Sequence, residues 1–322
     1  MNPWFALMIG LVVLYFGAQA LVRGGAGLAL RLGLTPLVIG LTVMAFGTSS
    51  PEMVVSVQAA LAGKGAISIG NVVGSNICNI ALIIGLCALV TPLKATAQVI
   101  RREVPIMIGV SVVALLMLLD GHLARWEGAV LLVGLVAYTV LTVRQAQAET
   151  AAAALANQEY ADELGPKPAA VGASLGLVAV GLAALIGGSH FFVQGAVRLA
   201  EAWGMSQIAI GLTIVSVGTS LPELATSLVA AVRKEGDVAI GNIVGSNIFN
   251  LLGILGLAAL VRPIDATGLA WGDLGVMLAV AIAMLPIAKS GGQVKRWEGA
   301  ALLAVYVGYT AWLLHRSGSP SS

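Results

Sequence analysis

Gly47-Thr48-Ser49-Ser50-Pro51-Glu52 lies inside one long apolar run, and Gly218-Thr219-Ser220-Leu221-Pro222-Glu223 lies inside another. Each stretch sets a carboxylate, at least two hydroxyls and a proline among residues suited to lipid. An ionisable group at such depth is costly and marks a functional site. The rest of the chain supports the lipid reading. Of 322 residues, 58% are hydrophobic and only 10% charged, against about 25% charged in a soluble domain. Mean hydropathy is +0.96. A polytopic all-α membrane protein is expected, with lipid as its main surroundings. Nothing points to nucleic acid, a cofactor or an obligatory protein partner.

The two stretches belong to a larger repeat. Gly70-Asn71-Val72-Val73-Gly74-Ser75-Asn76-Ile77 returns as Gly241-Asn242-Ile243-Val244-Gly245-Ser246-Asn247-Ile248, and Trp126-Glu127-Gly128-Ala129 returns as Trp297-Glu298-Gly299-Ala300. All three pairs share an offset of 171 residues. A common offset across separated motifs identifies an internal duplication. Before Leu28 the offset grows to 175, so the first copy holds four extra residues, placed at Gly24-Gly25-Ala26-Gly27.

Apolar runs long enough to span a bilayer, roughly 17–25 residues, fall at 4–22, 35–61, 67–90, 104–119 and 127–143, and again at 172–197, 207–232, 238–260, 270–288 and 298–314. Ala18-Gln19-Ala20 resembles a signal-peptidase site. However, no basic side chain precedes the first run, and Gln19-Ala20-Leu21-Val22-Arg23 recurs as Gln194-Gly195-Ala196-Val197-Arg198, so that run is expected to be retained. Ten transmembrane helices result, five per copy. An odd number per copy forces the second to insert with inverted topology, a plan common among secondary transporters. The expected divisions are 1–143, a connector at 144–170, and 171–322. Twelve of the 17 basic residues gather on one side and five on the other. The richer side is expected to be cytoplasmic, with both termini outside and the polar 144–170 connector inside, as a flexible or partly helical tether.

Most acidic residues, including Glu103, Glu127, Asp273 and Glu298, fall in loops or near span ends, where interfacial solvation or local pairing accounts for them. Glu52 and Glu223 alone lie well inside long spans, and as repeat mates they are expected to meet near the bilayer midplane. Helical geometry puts Thr48 and Ser49 four and three residues before Glu52, with Thr219 and Ser220 in the same relation to Glu223. Pro51 and Pro222 have no N–H, so the Gly47 and Gly218 carbonyls lose their helical partners. Carboxylate, hydroxyl and carbonyl oxygens suit a hard cation such as Ca²⁺. The next span of each half adds Ser75 with Asn79, and Ser246 with Asn250, each pair on one helix face. Asn71, Asn76, Asn242 and Asn247 read as packing or backbone support. Cys78 and Cys87 have no metal-ligand spacing and read as inert buried thiols.

The paired Gly-Thr-Ser-x-Pro-Glu motifs, each followed by Gly-Asn-x-x-Gly-Ser-Asn-Ile, resemble the two alpha repeats of the cation/calcium exchanger superfamily. They look most like its sodium/calcium exchanger branch of prokaryotic type. The resemblance implies a secondary antiporter that exchanges Ca²⁺ for Na⁺ by alternating access. It implies that Glu52 and Glu223 bind Ca²⁺ with backbone oxygens of Thr48 and Thr219. It implies Na⁺ ligands at Ser49, Ser75, Ser220 and Ser246 and at the carbonyls of Ala45 and Ser216. Some relatives carry aspartate at the position of Asn79 or Asn250. With asparagine at both, the site has two carboxylates, which leaves the coupling ratio and the use of K⁺ open; H⁺- or K⁺-coupled Ca²⁺ antiport and a passive cation channel are the alternatives.

Overall fold

The computed structural model describes residues 2–156, 171–204, 216–265 and 271–318. These are almost wholly helical. Helix α1 covers Pro3–Leu32. Helix α2 is a bent pair, α2a (Pro36–Thr48) and α2b (Ser50–Leu61), meeting at 48°. Then come α3 (Gly65–Val90), α4 (Val104–Met117), which continues a π-helical turn over Val99–Glu103, and α5 (Arg125–Ala156). The second half has α6 (Val171–Ala202), α7a (Ser216–Thr219) and α7b (Leu221–Val232), α8 (Gly236–Val261), α9 (Trp271–Lys289) and α10 (Arg296–Gly318). Among the described residues, six helices are long and apolar enough to cross a membrane, or seven if bent α2 counts as one. The chain is thus a polytopic helical membrane protein.

Several ends differ from those read off hydropathy. Helices α1 and α6 were expected at 4–22 and 172–197, yet α1 continues past Arg23 to Leu32 and α6 to Ala202. Hydropathy falls where charges begin, but the backbone ladder continues through them. The four extra residues of the first copy are absorbed as helix, about one turn. Asn2 caps α1 by accepting from the Trp4 N–H at 2.9 Å, and Gly33 ends it in the left-handed region at φ 62°. Helix α5 runs on to Ala156, so the start of the 144–170 connector is helical. The rest of that connector and residues 205–215 of the seventh span lie outside the described residues.

Glycine sets how close the helices come. Gly10, Gly17 and Gly24 recur every seventh residue on α1, as Gly181, Gly188 and Gly195 do on antiparallel α6; Gly10 faces Gly188 and Gly17 faces Gly181, while Gly24 and Gly195 each meet the backbone of the other helix. A Cβ on Gly10 would lie 2.6 Å from the Phe192 nitrogen, on Gly24 2.8 Å from the Ser174 oxygen, on Gly181 2.7 Å from the Leu21 nitrogen and on Gly195 2.7 Å from the Pro3 oxygen. The two backbones therefore touch along most of their length, as small residues permit in lipid. The two halves interlock through matched contacts: Gly128 of α5 seats on Gly256 of α8, and Gly299 of α10 seats on Gly85 of α3. Two short antiparallel ladders clasp the loops. Strand β1 (Leu93–Lys94) pairs with β4 (Gln293–Val294), and β2 (His122–Leu123) pairs with β3 (Ile264–Asp265). In every case an element of one half pairs with the other half. Helices α3 and α8 are the most enclosed, with 78% and 89% of their most apolar stretches buried against 28% in α5 and α6.

The α1–α6 seam gives a paired test. Gly181→Ala puts a methyl against the α1 backbone, whereas a Cβ on Gly187, on the same helix, meets nothing within 4 Å. Overpacking costs about 1–3 kcal/mol, while glycine to alanine in an open helix gains up to ~1 kcal/mol. Thermal unfolding in detergent should therefore show a lowered midpoint for Gly181→Ala and an unchanged or raised one for Gly187→Ala.

Candidate functional site

The two proline motifs break their helices. Pro51 sits in the first turn of α2b, where a missing N–H costs least, and α2a ends at Thr48. Ser49 bridges the break at φ −82°, ψ 6°. Ser220 does the same at φ −88°, ψ 9° before Pro222 in α7b. Glu52 and Glu223 thereby fall in the first turn of a helix, where N-terminal N–H groups favour negative charge. Both are buried at 1% exposure.

The break corrects the expectation of one continuous face. The Thr48 hydroxyl turns back to the Met44 carbonyl at 3.0 Å and lies 3.3 Å from Asn242 Oδ1. Ser49 passes over Glu52 and donates to Glu223 Oε1 of the other half at 2.7 Å. Ser220 returns the contact, donating to Glu52 Oε1 at 3.0 Å. The Gly218 carbonyl, expected to be free, accepts the Ser189 hydroxyl of α6 at 2.6 Å. The Ala45 carbonyl already accepts the Ser49 N–H at 3.1 Å. The motif glycines serve packing as well: a Cβ on Gly47 would run into Leu182, and one on Gly218 into Val193, both on α6.

What remains is a set of buried oxygens with no protein partner. Glu52 Oε2, Glu223 Oε2, Asn79 Oδ1, Asn250 Oδ1 and Ser246 Oγ all lack a hydrogen bond. Neither carboxylate has a Lys or Arg partner among the described residues. A buried ion left unpaired costs several kcal/mol, so these groups call for a cation. All five are oxygens, the donor set of a hard ion. No group of three or more His, Cys, Asp or Glu side chains gathers among the described residues, and Cys78 and Cys87 are buried free thiols. Ser75 is buried at 3% on α3. Thr219 is half-buried on α7a, and Ser216 opens that helix.

Asn79 and Asn250 each stand at the start of a π-helical turn, at Cys78–Ile84 and Asn250–Ile254. Such turns widen a helix locally and recur at functional sites. Their amides cross between halves: Asn79 Nδ2 donates to Asn247 Oδ1 at 3.0 Å, and Asn250 Nδ2 donates to Asn76 Oδ1 at 3.0 Å. Asn71 donates to Ser56 Oγ at 2.8 Å and to the Glu52 carbonyl at 3.1 Å, while Asn242 donates to Ser227 Oγ at 3.0 Å. Ser56 and Ser227 were missed in the sequence, although they share the 171-residue offset. Glu103 stands at a span end as expected, but it is not solvated. It is fully buried and accepts from Tyr138 at 2.9 Å and Gln98 at 3.1 Å, with Arg102 3.5 Å away. Asp273 likewise accepts from Tyr309 at 3.1 Å. Glu127 and Glu298 do pair locally, with the N–H groups of Ala124 and Lys295.

A multi-span helical protein that buries one carboxylate from each copy of a repeated motif, each bonded by a serine of the other copy and neither paired with a basic side chain among the described residues, presents an anionic centre suited to a cation. The family described as sodium/calcium exchanger protein matches residues 2–144 and again 173–315, the same segment twice at the repeat spacing. The putative antiporter CaxA of Alkalimonas amylolytica is 42% identical over 308 residues, 94% of this chain and 96% of its own. The sodium/calcium exchanger MaX1 of Methanosarcina acetivorans is 30% identical over 341 residues, 96% of this chain and 97% of its own. A solved structure of the sodium-calcium exchanger NCX_Mj, soaked with Na⁺ and Sr²⁺, matches with a TM-score of 0.82 at 33% identity, over 96% of this chain and 97% of that one. The chain belongs to the sodium/calcium exchanger family and is an ion exchanger, not an enzyme.

A ligand that binds only the folded state stabilises it, by about 2.7 kcal/mol at a hundred times its dissociation constant. Ca²⁺ should raise the unfolding midpoint of the purified protein. Glu52→Gln and Glu223→Gln should each remove that rise while leaving the ion-free midpoint equal or higher, because each deletes an unpaired buried charge.

Proposed function

We propose that this protein exchanges Ca²⁺ for Na⁺ across the cell membrane by alternating access. Residues 1–143 and 171–322 form two five-helix repeats of inverted topology, ten spans in all. The 144–170 connector is cytoplasmic and both termini face outside. Glu52 and Glu223 are the charged ligands of Ca²⁺, joined by Asn79 and Asn250 through Oδ1 and by backbone oxygens of Thr48 and Thr219. Ser49, Ser75, Ser220 and Ser246, with the carbonyls of Ala45 and Ser216, serve Na⁺.

The observation that carries this reading is the reciprocal pair Ser49–Glu223 and Ser220–Glu52, with one oxygen of each carboxylate left unpartnered. A hydroxyl whose proton is held by a carboxylate keeps its lone pairs for a cation. Ser49 and Ser220 thus suit Na⁺ in a cage where the carboxylates also suit Ca²⁺, and the two ions compete for shared groups. The charge supports the same cargo, since two carboxylates are balanced by one Ca²⁺ or by two Na⁺. For the switch, α1 and α6 move as one glycine-zipped body. Leu182 and Val193 of α6 rest on Gly47 and Gly218, so a displacement of that body reaches both helix breaks together.

In sealed vesicles loaded with Na⁺, the protein should accumulate Ca²⁺ when external Na⁺ is replaced by choline. Glu52→Gln or Glu223→Gln should reduce uptake to the level of empty vesicles. Equal accumulation with only K⁺ or a proton gradient inside would overturn Na⁺ coupling. Ca²⁺ entry that stops at equilibrium, with no uphill phase, would show a channel instead.

A further inference from the structure

Asn76 and Asn247 are not among the proposed ligands, yet each is tied to one of them by contacts that run the same way in both halves. The Asn247 amide nitrogen lies 3.5 Å from Met107 Sδ on α4, and the Asn76 amide nitrogen lies 3.9 Å from Met277 Sδ on α9. Asn76 Nδ2 also meets the Asn247 carbonyl at 3.4 Å. Sulfur and carbonyl groups accept hydrogen bonds but cannot donate them. They therefore fix which end of each amide is nitrogen and turn its Oδ1 towards the opposite half. That Oδ1 accepts the amide nitrogen of Asn79 or Asn250 at 3.0 Å. With its nitrogen so held, each of Asn79 and Asn250 leaves Oδ1 buried and without a partner. All four asparagines are at most 1% exposed, and Met107 and Met277 are equally enclosed.

We infer that Asn76 and Asn247 are positioning residues that set the ion preference of the cage by holding the amides of Asn250 and Asn79 with oxygen, not nitrogen, towards the cation. The inference rests on the exchanger reading above. An asparagine ligand is useful in one orientation only, because a half-turn about its last bond presents N–H donors to a cation. The energy difference between the two orientations comes from the partner on the other side, which here must accept. Ca²⁺ takes ~6–8 oxygen ligands, so loss of one or two neutral oxygens weakens Ca²⁺ more than Na⁺. The sulfurs of Met107 and Met277 thus act on the cage through two amides in series.

The test is binding of Ca²⁺ alone and of Na⁺ alone to purified protein, with Ca²⁺ uptake at saturation as a second readout. Outer partners of metal ligands are worth about 10–100-fold in affinity. Asn247→Leu is expected to raise the Ca²⁺ dissociation constant at least about tenfold, to leave Na⁺ within about threefold, and to retain the uptake rate at saturating Ca²⁺. A carboxylate has two equal oxygens and no wrong orientation. In an Asn79→Asp background the same Asn247→Leu change is therefore expected to alter Ca²⁺ affinity less than about threefold, a non-additive cycle. Equal losses in both backgrounds, parental affinity in Asn247→Leu, or equal losses for Na⁺ and Ca²⁺ would overturn the inference. If Asn247→Leu does not fold, Met107→Leu keeps the volume and removes only the weak acceptor. It should weaken Ca²⁺ at least about twofold, the lower end of what one net hydrogen bond is worth, and unchanged affinity would overturn the inference. If the parent binds Ca²⁺ and Glu52→Gln does not, the site assignment within the exchanger reading stands whatever Asn247→Leu does. If Glu52→Gln binds as the parent does, that reading falls and takes this one with it.

Discussion

Two buried carboxylates, one from each half, with no basic side chain among the described residues to balance them, are the constraint on which this structure turns. In a low-dielectric interior each unpaired charge costs several kcal/mol. The protein relieves only part of that cost, giving each carboxylate a helix N-terminus and one serine hydroxyl. Both serines come from the opposite half. On the proposed function the remainder is left to an ion, so the site is incomplete without its cargo, and the protein around it must hold that incompleteness rigidly.

The rigidity comes from exchange between halves. Ser49 bonds Glu223 and Ser220 bonds Glu52; Asn79 bonds Asn247 and Asn250 bonds Asn76. In each pair the partner sits three residues to one side of the repeat mate, which is how a self-complementary two-fold contact behaves. One half alone would leave its carboxylate without a donor and its asparagine unoriented. The same exchange appears in packing, where Gly128 meets Gly256 and Gly299 meets Gly85, and in the loops, where β1 pairs with β4 and β2 with β3. Enclosed α3 and α8 carry the asparagines. The bent α2 and α7 carry the carboxylates. Paired α1 and α6 lie outside and touch the bends through Leu182 and Val193.

The repeat, the membrane class and the two glutamates were legible in the sequence because each is a local pattern or a fixed offset. Which serine serves which glutamate was not. Helical spacing suggested Ser49 with Glu52, and the proline break, which turns α2 by 48°, sends Ser49 across to Glu223 instead. Contacts between residues some 170 apart have no periodicity to betray them. The Gly218 carbonyl shows the same limit: Pro222 frees it from its own helix, but Ser189 of α6 takes it up. A carboxylate near a span end reads as solvated or locally paired, but Glu103 is buried by its acceptor role towards Tyr138, 35 residues on. Only Ser56 and Ser227 were within reach, since they share the repeat offset and stand four residues after the glutamates.

The charge count connects this architecture to exchange. On the proposed function, the cage holding one Ca²⁺ or two Na⁺ is neutral, and the empty cage carries two negative charges. An antiporter must cross between its two access states when loaded and resist crossing when empty, or it leaks. Closing a low-dielectric shell around two uncompensated carboxylates is the unfavourable step, and closing it around a neutral cage is not. Asparagine at both 79 and 250 matters here because it adds oxygen ligands without adding charge. A third carboxylate would leave a Ca²⁺-loaded cage at −1 and would need another cation before the shell could close.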